Sequence, residues 1–233
     1  MKLYELELMK IRVSTYLRAA AGICACVLAL GITCLFLGMY GQEKELLLTT
    51  WSGLYALESA LTVGCFGVFA AVFAAKVIVD EYCGKKAMLL FTYPVSRKRI
   101  LHVKSRMIAG ITMAAAFAGN MADMGILYLV SRVFGISPDK SGRYFVIQVL
   151  LSSLLTGVLS AEIGTIATVI GWKKRSMTVT IVSAVILVCF VPNLIASQPE
   201  IIGWTMLLAA LLLGMAAGLT RHMLTDGIEE MEV

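Results

Sequence analysis

Long apolar runs separated by short polar segments organise the chain. Six runs approach or exceed the roughly 20 helical residues that cross a bilayer, and they lie near 19–39, 54–78, 107–130, 144–171, 177–196 and 201–220. The runs are continuous, whereas the strands of a membrane β-barrel alternate apolar and polar positions. A helix also satisfies its own backbone hydrogen bonds in hydrocarbon. The pattern therefore predicts an all-α, polytopic membrane protein with six transmembrane helices in a single domain, 1–233.

Composition agrees with this prediction. Of the 233 residues, 59% are hydrophobic and 15% are charged. A soluble globular domain carries about 25% charged residues. The segments between the runs are too short for a separate soluble domain, so the membrane helices form the body of the protein.

The basic residues define a topology. Four segments, 1–18, 76–106, 172–176 and 221–233, contain 16 of the 20 lysines and arginines. Because positive charge accumulates on the cytoplasmic side, both termini and the loop 80–104 are expected to be cytoplasmic, with the protein in the cell membrane. The net charge of +5 is then a consequence of topology and indicates no nucleic-acid partner.

This topology predicts the roles of the two ends of the chain. Residues 1–18 place leucines and Val13 at helical spacing among charges, which indicates an interfacial helix before the first span; an ordered extension is the alternative. The first apolar run is longer than a signal-peptide core and no small-x-small cleavage site follows it, so we expect a retained helix. Residues 221–233 form a cytoplasmic tail.

The loop 80–104 is the most organised polar segment. The second span continues past Lys76 without a break signal, and a helix is expected to run on toward Phe91. Pro94 ends it and disfavours helical conformation at Tyr93, and Ser96 can cap a new helix beginning at Arg97. The loop is thus predicted to be helix, proline turn, helix. Its apolar cluster at residues 87–91 sits between basic residues, which suits a surface hairpin on anionic lipid or a hydrophobic knob that docks into a cytoplasmic partner.

Pro192 predicts an irregularity in the fifth span. The segment from Met177 to Val191 is only 15 residues long, which is short for a crossing. We expect the helix to break near Pro192 and residues 192–200 to form a re-entrant segment.

Several kinds of chemistry lack their residues in this sequence. No G-x-x-x-x-G-K-[ST] phosphate loop is present, nor H-E-x-x-H, nor G-x-S-x-G. The six cysteines form no CxxC pair and no cluster with the two histidines, which argues against a disulfide framework or a metal site. We expect a protein that is not an enzyme and holds no cofactor of its own.

Ionisable residues inside spans are costly and indicate function by default. Glu58 and Asp123 fall toward the outer side, and Glu162 lies near the midplane, since it precedes Trp172 by about 15 Å of helix. Around Glu162 runs a stripe of small and hydroxylated residues at every fourth position: Ser152, Thr156, Ser160 and Gly164. The stripe favours close helix packing, and a polar translocation path is the alternative. For Glu162, a role in a pathway or buried pair and a structural role are equally compatible with the sequence.

The layout of six spans and the loop 80–104 together resemble the permeases of type-2 ATP-binding cassette (ABC) transporters. In that family the loop between spans two and three carries an acidic residue, a glycine, a leucine-rich turn, a Pro-(Val/Ile)-Ser-Arg segment and a downstream lysine. The matching residues here are Glu81, Gly84, Leu89, Leu90, Pro94, Val95, Ser96, Arg97 and Lys104. The family also has an N-terminal interfacial helix and a re-entrant segment between spans five and six.

The resemblance implies a function. Such permeases pair with a separate cytoplasmic ABC ATPase, which holds the ATP and Mg²⁺, and with a second permease, identical or not. Members of this size export amphipathic or antimicrobial peptides, lipids or drug-like molecules. The residues expected to couple to the ATPase are Glu81, Gly84, Met88, Leu89, Leu90, Phe91, Pro94, Ser96 and Arg97.

Two other functions stay open from the residues alone. One is an ion-coupled secondary transporter or channel that uses Glu162 or Asp123, although no internal repeat of the kind many such transporters carry is visible. The other is a non-transporting membrane scaffold or sensor partner. ATP depletion, which spares gradient-driven transport, separates the first from an ATP-driven exporter.

Overall fold

Six long helices make up the structure, which is a computed structural model. It describes residues 13–40, 50–83, 97–135, 145–196 and 202–229, and these residues contain no strand. The helices are α1 (Val13–Tyr40), α2 (Trp51–Ala74), α3 (Arg97–Val133), α4 (Phe145–Lys173), α5 (Met177–Ala196) and α6 (Ile202–Glu229). The predicted all-α class is confirmed.

Five of the helices are long and apolar enough to cross a membrane. Their apolar stretches are Ser14–Gly38, Trp51–Val79, Ile100–Val133, Val146–Lys173 and Gly203–Thr220, and the apolar stretch of α5, Met177–Asn193, is shorter. The chain therefore has the character of a multi-pass membrane protein. Large apolar side chains project outward from α1, α4, α5 and α6, as is usual where helices meet lipid.

Successive helices run antiparallel, and one end of the bundle carries most of the described basic residues. At this end, called the basic end below, the Tyr16 ring of α1 stacks on Phe73 of α2 with centroids 3.9 Å apart. At the opposite end, Trp51 of α2 lies against Tyr128 of α3 with centroids 6.1 Å apart. Ring contacts thus hold helix pairs together at both ends.

Helix α2 is the centre of the bundle. About 72% of its apolar stretch is buried, against 22% for α1 and 17% for α6. A helix surrounded by others is apolar on all sides, and α2 packs against α1, α3, α4 and α5. Thr50 starts the helix, since its hydroxyl accepts a hydrogen bond of 3.2 Å from the Gly53 amide.

Beyond Ala74 the central helix continues with altered winding. A π-helical turn spans Ala75–Val79 and one α-helical turn follows over Asp80–Cys83. Such π-turns are rare and are often found at functional sites. The described part of the helix therefore extends past Lys76 as predicted, while residues 84–91 lie outside the described ranges.

Helix boundaries refine the predicted ones. The third helix begins at Arg97, as expected, and runs without interruption to Val133. Helix α1 begins at Val13, so residues 13–18, assigned to an interfacial helix, are continuous with the first apolar helix. Residues 1–12 lie outside the described ranges.

The predicted break at Pro192 is wrong. Helix α5 continues through Pro192 to Ala196, so residues 192–196 do not form the start of a re-entrant segment; residues 197–200 lie outside the described ranges. Pro192 removes only the amide that would bond the Val188 carbonyl. It does so one turn from the helix end, and the Asn193 side chain donates to the neighbouring Cys189 carbonyl at 2.6 Å. The break was expected because the sequence does not show this local compensation.

The turn between α4 and α5 is tight and basic. Arg175 adopts a left-handed backbone conformation with φ 49°, and Ser176 N–H donates to Gly171 O at 3.1 Å. Arg175 N–H donates to Trp172 O at 3.0 Å, which completes a Schellman-type helix end. This geometry places Lys173, Lys174 and Arg175 together at the basic end.

Candidate functional site

An ion pair joins the two ends of the loop identified in the sequence. Glu81, in the turn that extends α2, accepts a hydrogen bond from the Lys104 ammonium of α3. The Lys104 side chain is only 1% exposed and the Glu81 side chain 13%. A buried lysine needs such a partner, because an unpaired charge in an apolar interior is strongly unfavourable.

Apolar packing surrounds this ion pair. Phe73 of α2 and Val77 and Ile78 beyond its end pack against Leu101 and Ile108 of α3. The π-turn contributes Val77 and Ile78 to this cluster, and Glu81 follows three residues later. The helical segment that ends at Cys83 and the start of α3 are therefore fixed to each other.

Most of the predicted coupling residues lie outside the described ranges. Gly84, Met88, Leu89, Leu90, Phe91, Pro94 and Ser96 belong to residues 84–96, which the structure does not describe. Arg97 is the first residue of α3. Of the motif residues, Glu81 and Lys104 are described to their side chains, and the structure brings them together.

The stripe on α4 lies in the interior of the bundle. Ser152, Thr156 and Ser160 are at most 2% exposed. Ser160 donates to the Thr156 carbonyl at 2.7 Å and Ser152 to the Val149 carbonyl at 3.1 Å. A methyl group added at Gly164 would lie 2.4 Å from the Ala70 Cβ of α2. These positions make the stripe a close packing surface between α4 and α2.

Glu162 lies elsewhere. Its carboxylate approaches α6, where a methyl group added at Gly214 would lie 2.9 Å from Glu162 Oε1. Asp123, by contrast, lies near Cys24 of α1 and Glu58 of α2. The structure therefore does not bring Glu162 and Asp123, the two predicted ion-coupling residues, into one site.

A second polar region occupies the half of the bundle away from the basic end. Glu58 is 0% exposed and Asp123 is 3% exposed, and their carboxyl groups are close enough to repel one another. Within the described part of the chain, neither carboxylate oxygen of Glu58 accepts a hydrogen bond, nor does Oδ2 of Asp123. Gly31 of α1 leaves the space for Glu58, because an added methyl group would lie 2.5 Å from Glu58 Oε2.

Hydrogen bonds extend this region across three helices. Thr62 of α2 contacts the Asn120 Oδ1 of α3 at 3.3 Å, and Asn120 Nδ2 donates to Ser153 Oγ of α4 at 2.9 Å. Thr62 also reaches the Glu58 carbonyl at 2.8 Å, and Ser153 donates to the Val149 carbonyl at 2.7 Å. We call Glu58, Thr62, Asn120, Asp123 and Ser153 the buried polar cluster.

Sequence reasoning missed Thr62 and Asn120. A signal for them existed, since Thr62 follows Glu58 by four residues and Asn120 precedes Asp123 by three. Residues at these spacings share a helix face. The interhelical pairing itself depends on how α2, α3 and α4 are rotated, which an apolar run does not specify.

Comparison with known proteins gives little functional information. The chain is 23% identical over 195 residues to "Uncharacterized protein YcbO" of Bacillus subtilis (strain 168). The aligned residues cover 83% of this chain and 84% of the relative. No protein-family model matches the chain. No solved structure matches it.

Proposed function

We propose that this chain is the permease subunit of an ATP-driven exporter of the ABC type-2 class. In this proposal it works with a separate cytoplasmic ATPase, which binds ATP and Mg²⁺, and with a second permease. The loop between α2 and α3 transmits the movement of the ATPase to these two helices. The chain itself catalyses no reaction.

The Glu81–Lys104 ion pair is the observation that carries this proposal. A coupling loop has to transfer a push from the water to the membrane helices. Because the pair fixes the end of α2 to the start of α3, a force on residues between them acts on both helices together. The central position of α2 then spreads that movement to the helices around it.

Two features of the chain support the same assignment. The sequence lacks the phosphate loop of an ATPase, so energy from ATP has to come from a partner. The basic end, with the 172–176 turn and the start of α3, matches the cytoplasmic side by charge. In this proposal both termini and the loop lie in the cytoplasm of the cell.

The proposal identifies the substrate only by its chemical class. An exporter of this kind moves amphipathic peptides, lipids or drug-like molecules. The described outer face of α6, with Trp204, Leu208, Leu211 and Met215 exposed, offers apolar surface to lipid or to a second permease.

Co-purification with the ATPase tests the proposal. Membranes that contain the tagged chain and a candidate ABC ATPase are solubilised, and the ATPase retained on the tag is measured. The Pro94→Ala, Arg97→Glu double variant is expected to lose the ATPase. Arg132→Glu, which makes the same change of charge at the opposite end of the bundle as Arg97→Glu makes at the basic end, is the matched control and is expected to retain it. Equal retention by both variants would refute the coupling role.

The buried polar cluster favours a second candidate function, an ion-coupled transporter. Buried acidic residues in membrane helices commonly mark ion or proton pathways, and Glu58 and Asp123 form such a pair. Transport that persists after ATP depletion and stops when the proton gradient is collapsed would favour this candidate. Loss of transport on ATP depletion with the gradient intact would favour the exporter.

A further inference from the structure

Glu58 and Asp123 lie at the same level of the bundle. Thr62 of α2 contacts Asn120 of α3 at 3.3 Å. Glu58 lies about one turn before Thr62, and Asp123 lies about one turn after Asn120. Because α2 and α3 run antiparallel, both steps lead in the same direction, away from the basic end. The register of the two helices therefore places the two carboxyl groups beside each other, where their charges repel.

The Glu58 carboxyl group lies against apolar groups of α1 and α3. A methyl group added at Gly31 would lie 2.5 Å from Glu58 Oε2 and 3.1 Å from Leu127 Cδ1. The carboxyl group is therefore close to both the Gly31 backbone and the Leu127 side chain, which packs with Leu35 and Leu54 in a buried apolar cluster. Glu58 itself is fully buried. A full negative charge is unfavourable in such surroundings.

No basic side chain in the described ranges offsets the charge of this pair. Neither oxygen of Glu58 accepts a hydrogen bond there, and Oδ2 of Asp123 accepts none; neither residue forms an ion pair there. The other titratable groups that face the pair are the thiols of Cys24 and Cys34 on α1, which carry no positive charge. Because two adjacent carboxyl groups in an apolar site are not both ionised, such a pair takes up a proton.

The surroundings of the pair suit a proton better than a metal ion. Asn120 Oδ1 contacts Thr62, and Asn120 Nδ2 donates to Ser153, so the neighbouring polar groups are engaged with one another. Within the part of the chain that the structure describes, no three histidine, cysteine or acidic side chains gather around one point. Ca²⁺, by comparison, takes about six to eight oxygen ligands. Two carboxyl groups alone are sufficient to hold a proton.

We propose that Glu58 and Asp123 form a proton-binding site, in which Glu58 holds one exchangeable proton at neutral pH. The proton comes from water and returns to water, and it removes the repulsion between the two carboxyl groups. The Glu58 oxygens still lack donors, so the protein maintains this site at a cost in stability. The inference identifies the ligand of the pair and holds for this chain alone, whether ATP or an ion gradient drives transport.

Infrared spectroscopy of the purified full chain in lipid vesicles tests the proposal. The carbonyl stretching band of protonated carboxylic acids is recorded in H₂O and in D₂O at about pH 7, where exposed acidic side chains are ionised. We expect such a band in the wild-type protein and its loss in Glu58→Gln. Asp123→Asn should shift the frequency of the band, because a neighbouring charge is lost. Glu162→Gln makes the same substitution on α4 as the matched control, and it should leave the Glu58 band in place.

Two further measurements separate a proton from other ligands and from misfolding. Circular dichroism confirms that Glu58→Gln and Asp123→Asn keep the wild-type helix content. Replacement of choline chloride by sodium chloride should leave the band of the wild-type protein unchanged, whereas its loss would show an alkali-ion site and overturn the proposal. Absence of the band from the wild-type protein, its retention in folded Glu58→Gln, or an unchanged frequency in folded Asp123→Asn would also overturn it.

Discussion

At the basic end, the Lys104 ammonium is buried beside the Glu81 carboxylate. In the opposite half, the Glu58 and Asp123 carboxyl groups are buried beside each other, and the described part of the chain gives the Glu58 oxygens no hydrogen-bond donor. The first arrangement neutralises charge within the protein and fixes two helices together. The second leaves acidic groups whose burial adds nothing to stability. Buried ionisable residues in membrane helices indicate a functional role by default.

Removal of one partner of the ion pair should have the largest effect. Glu81→Ala leaves the buried Lys104 ammonium without its carboxylate and should cost about 3–5 kcal/mol of unfolding free energy. The Glu81→Ala, Lys104→Met double variant should recover most of that loss, since a buried apolar pair replaces the charges. Equilibrium unfolding in mixed micelles measures both. Additive losses in the double variant would mean that the pair does not stabilise the helix ends.

Removal of an acidic group from the buried polar cluster should change the unfolding free energy with the opposite sign. Glu58→Met removes two buried oxygens that lack donors and should stabilise the protein by about 1–3 kcal/mol. Glu58→Gln keeps polar atoms in the same place and should give a smaller gain, which makes it the matched control. If Glu58→Met destabilises the protein in the same unfolding assay, the carboxylate has a stabilising partner and the contrast between the two regions is lost.

A comparison of two glycines tests where the Glu58 carboxylate lies. Gly31→Ala places a methyl group 2.5 Å from Glu58 Oε2 and should cost about 1–3 kcal/mol through overpacking. Gly110→Ala, in open space on α3, should instead stabilise its helix by up to about 1 kcal/mol. Thermal unfolding in detergent compares the two variants. Equal shifts in unfolding temperature would place the Glu58 carboxylate away from α1.

The smallest effect is expected from the hydrogen bonds between helices. Asn120→Ala removes the contacts to Thr62 and Ser153, but both hydroxyls keep carbonyl partners on their own helices. We therefore expect a loss of only about 1 kcal/mol. The exposed Thr33→Ala, which loses one bond to the Leu30 carbonyl, should be nearly neutral. A loss above that of Glu81→Ala would show that the cluster, not the ion pair, holds the bundle.

Sequence predicted the helices well because their signal is local. Apolar run length identified the helices, and Arg97 was correctly expected to begin the third of them. The continuation of α5 through Pro192 was missed, since it depends on the position of the proline near the helix end and on the Asn193 side chain. A hydropathy pattern does not show helix boundaries that depend on such side-chain hydrogen bonds.

The sites were predictable only where a motif joined distant residues. Glu81 and Lys104 were named together by resemblance, and the structure pairs them. Glu162 and Asp123 were grouped by charge type alone, and the structure separates them because they face different neighbours, α6 and α1–α2. The Thr62–Asn120–Ser153 contacts depend on helix rotation, which the three apolar runs leave undetermined.

Site-directed cross-linking to the ATPase tests the central claim most directly. In a Cys83→Ser background, Leu90→Cys places a thiol in the proposed coupling loop, and Val133→Cys places one at the opposite end of α3 as the control. Membranes with the chain and its candidate ABC ATPase are treated with a short thiol-to-amine cross-linker. We predict an ATPase adduct with Leu90→Cys and none with Val133→Cys. Equal adducts from both positions, or none from Leu90→Cys while the ATPase co-purifies, would contradict the account.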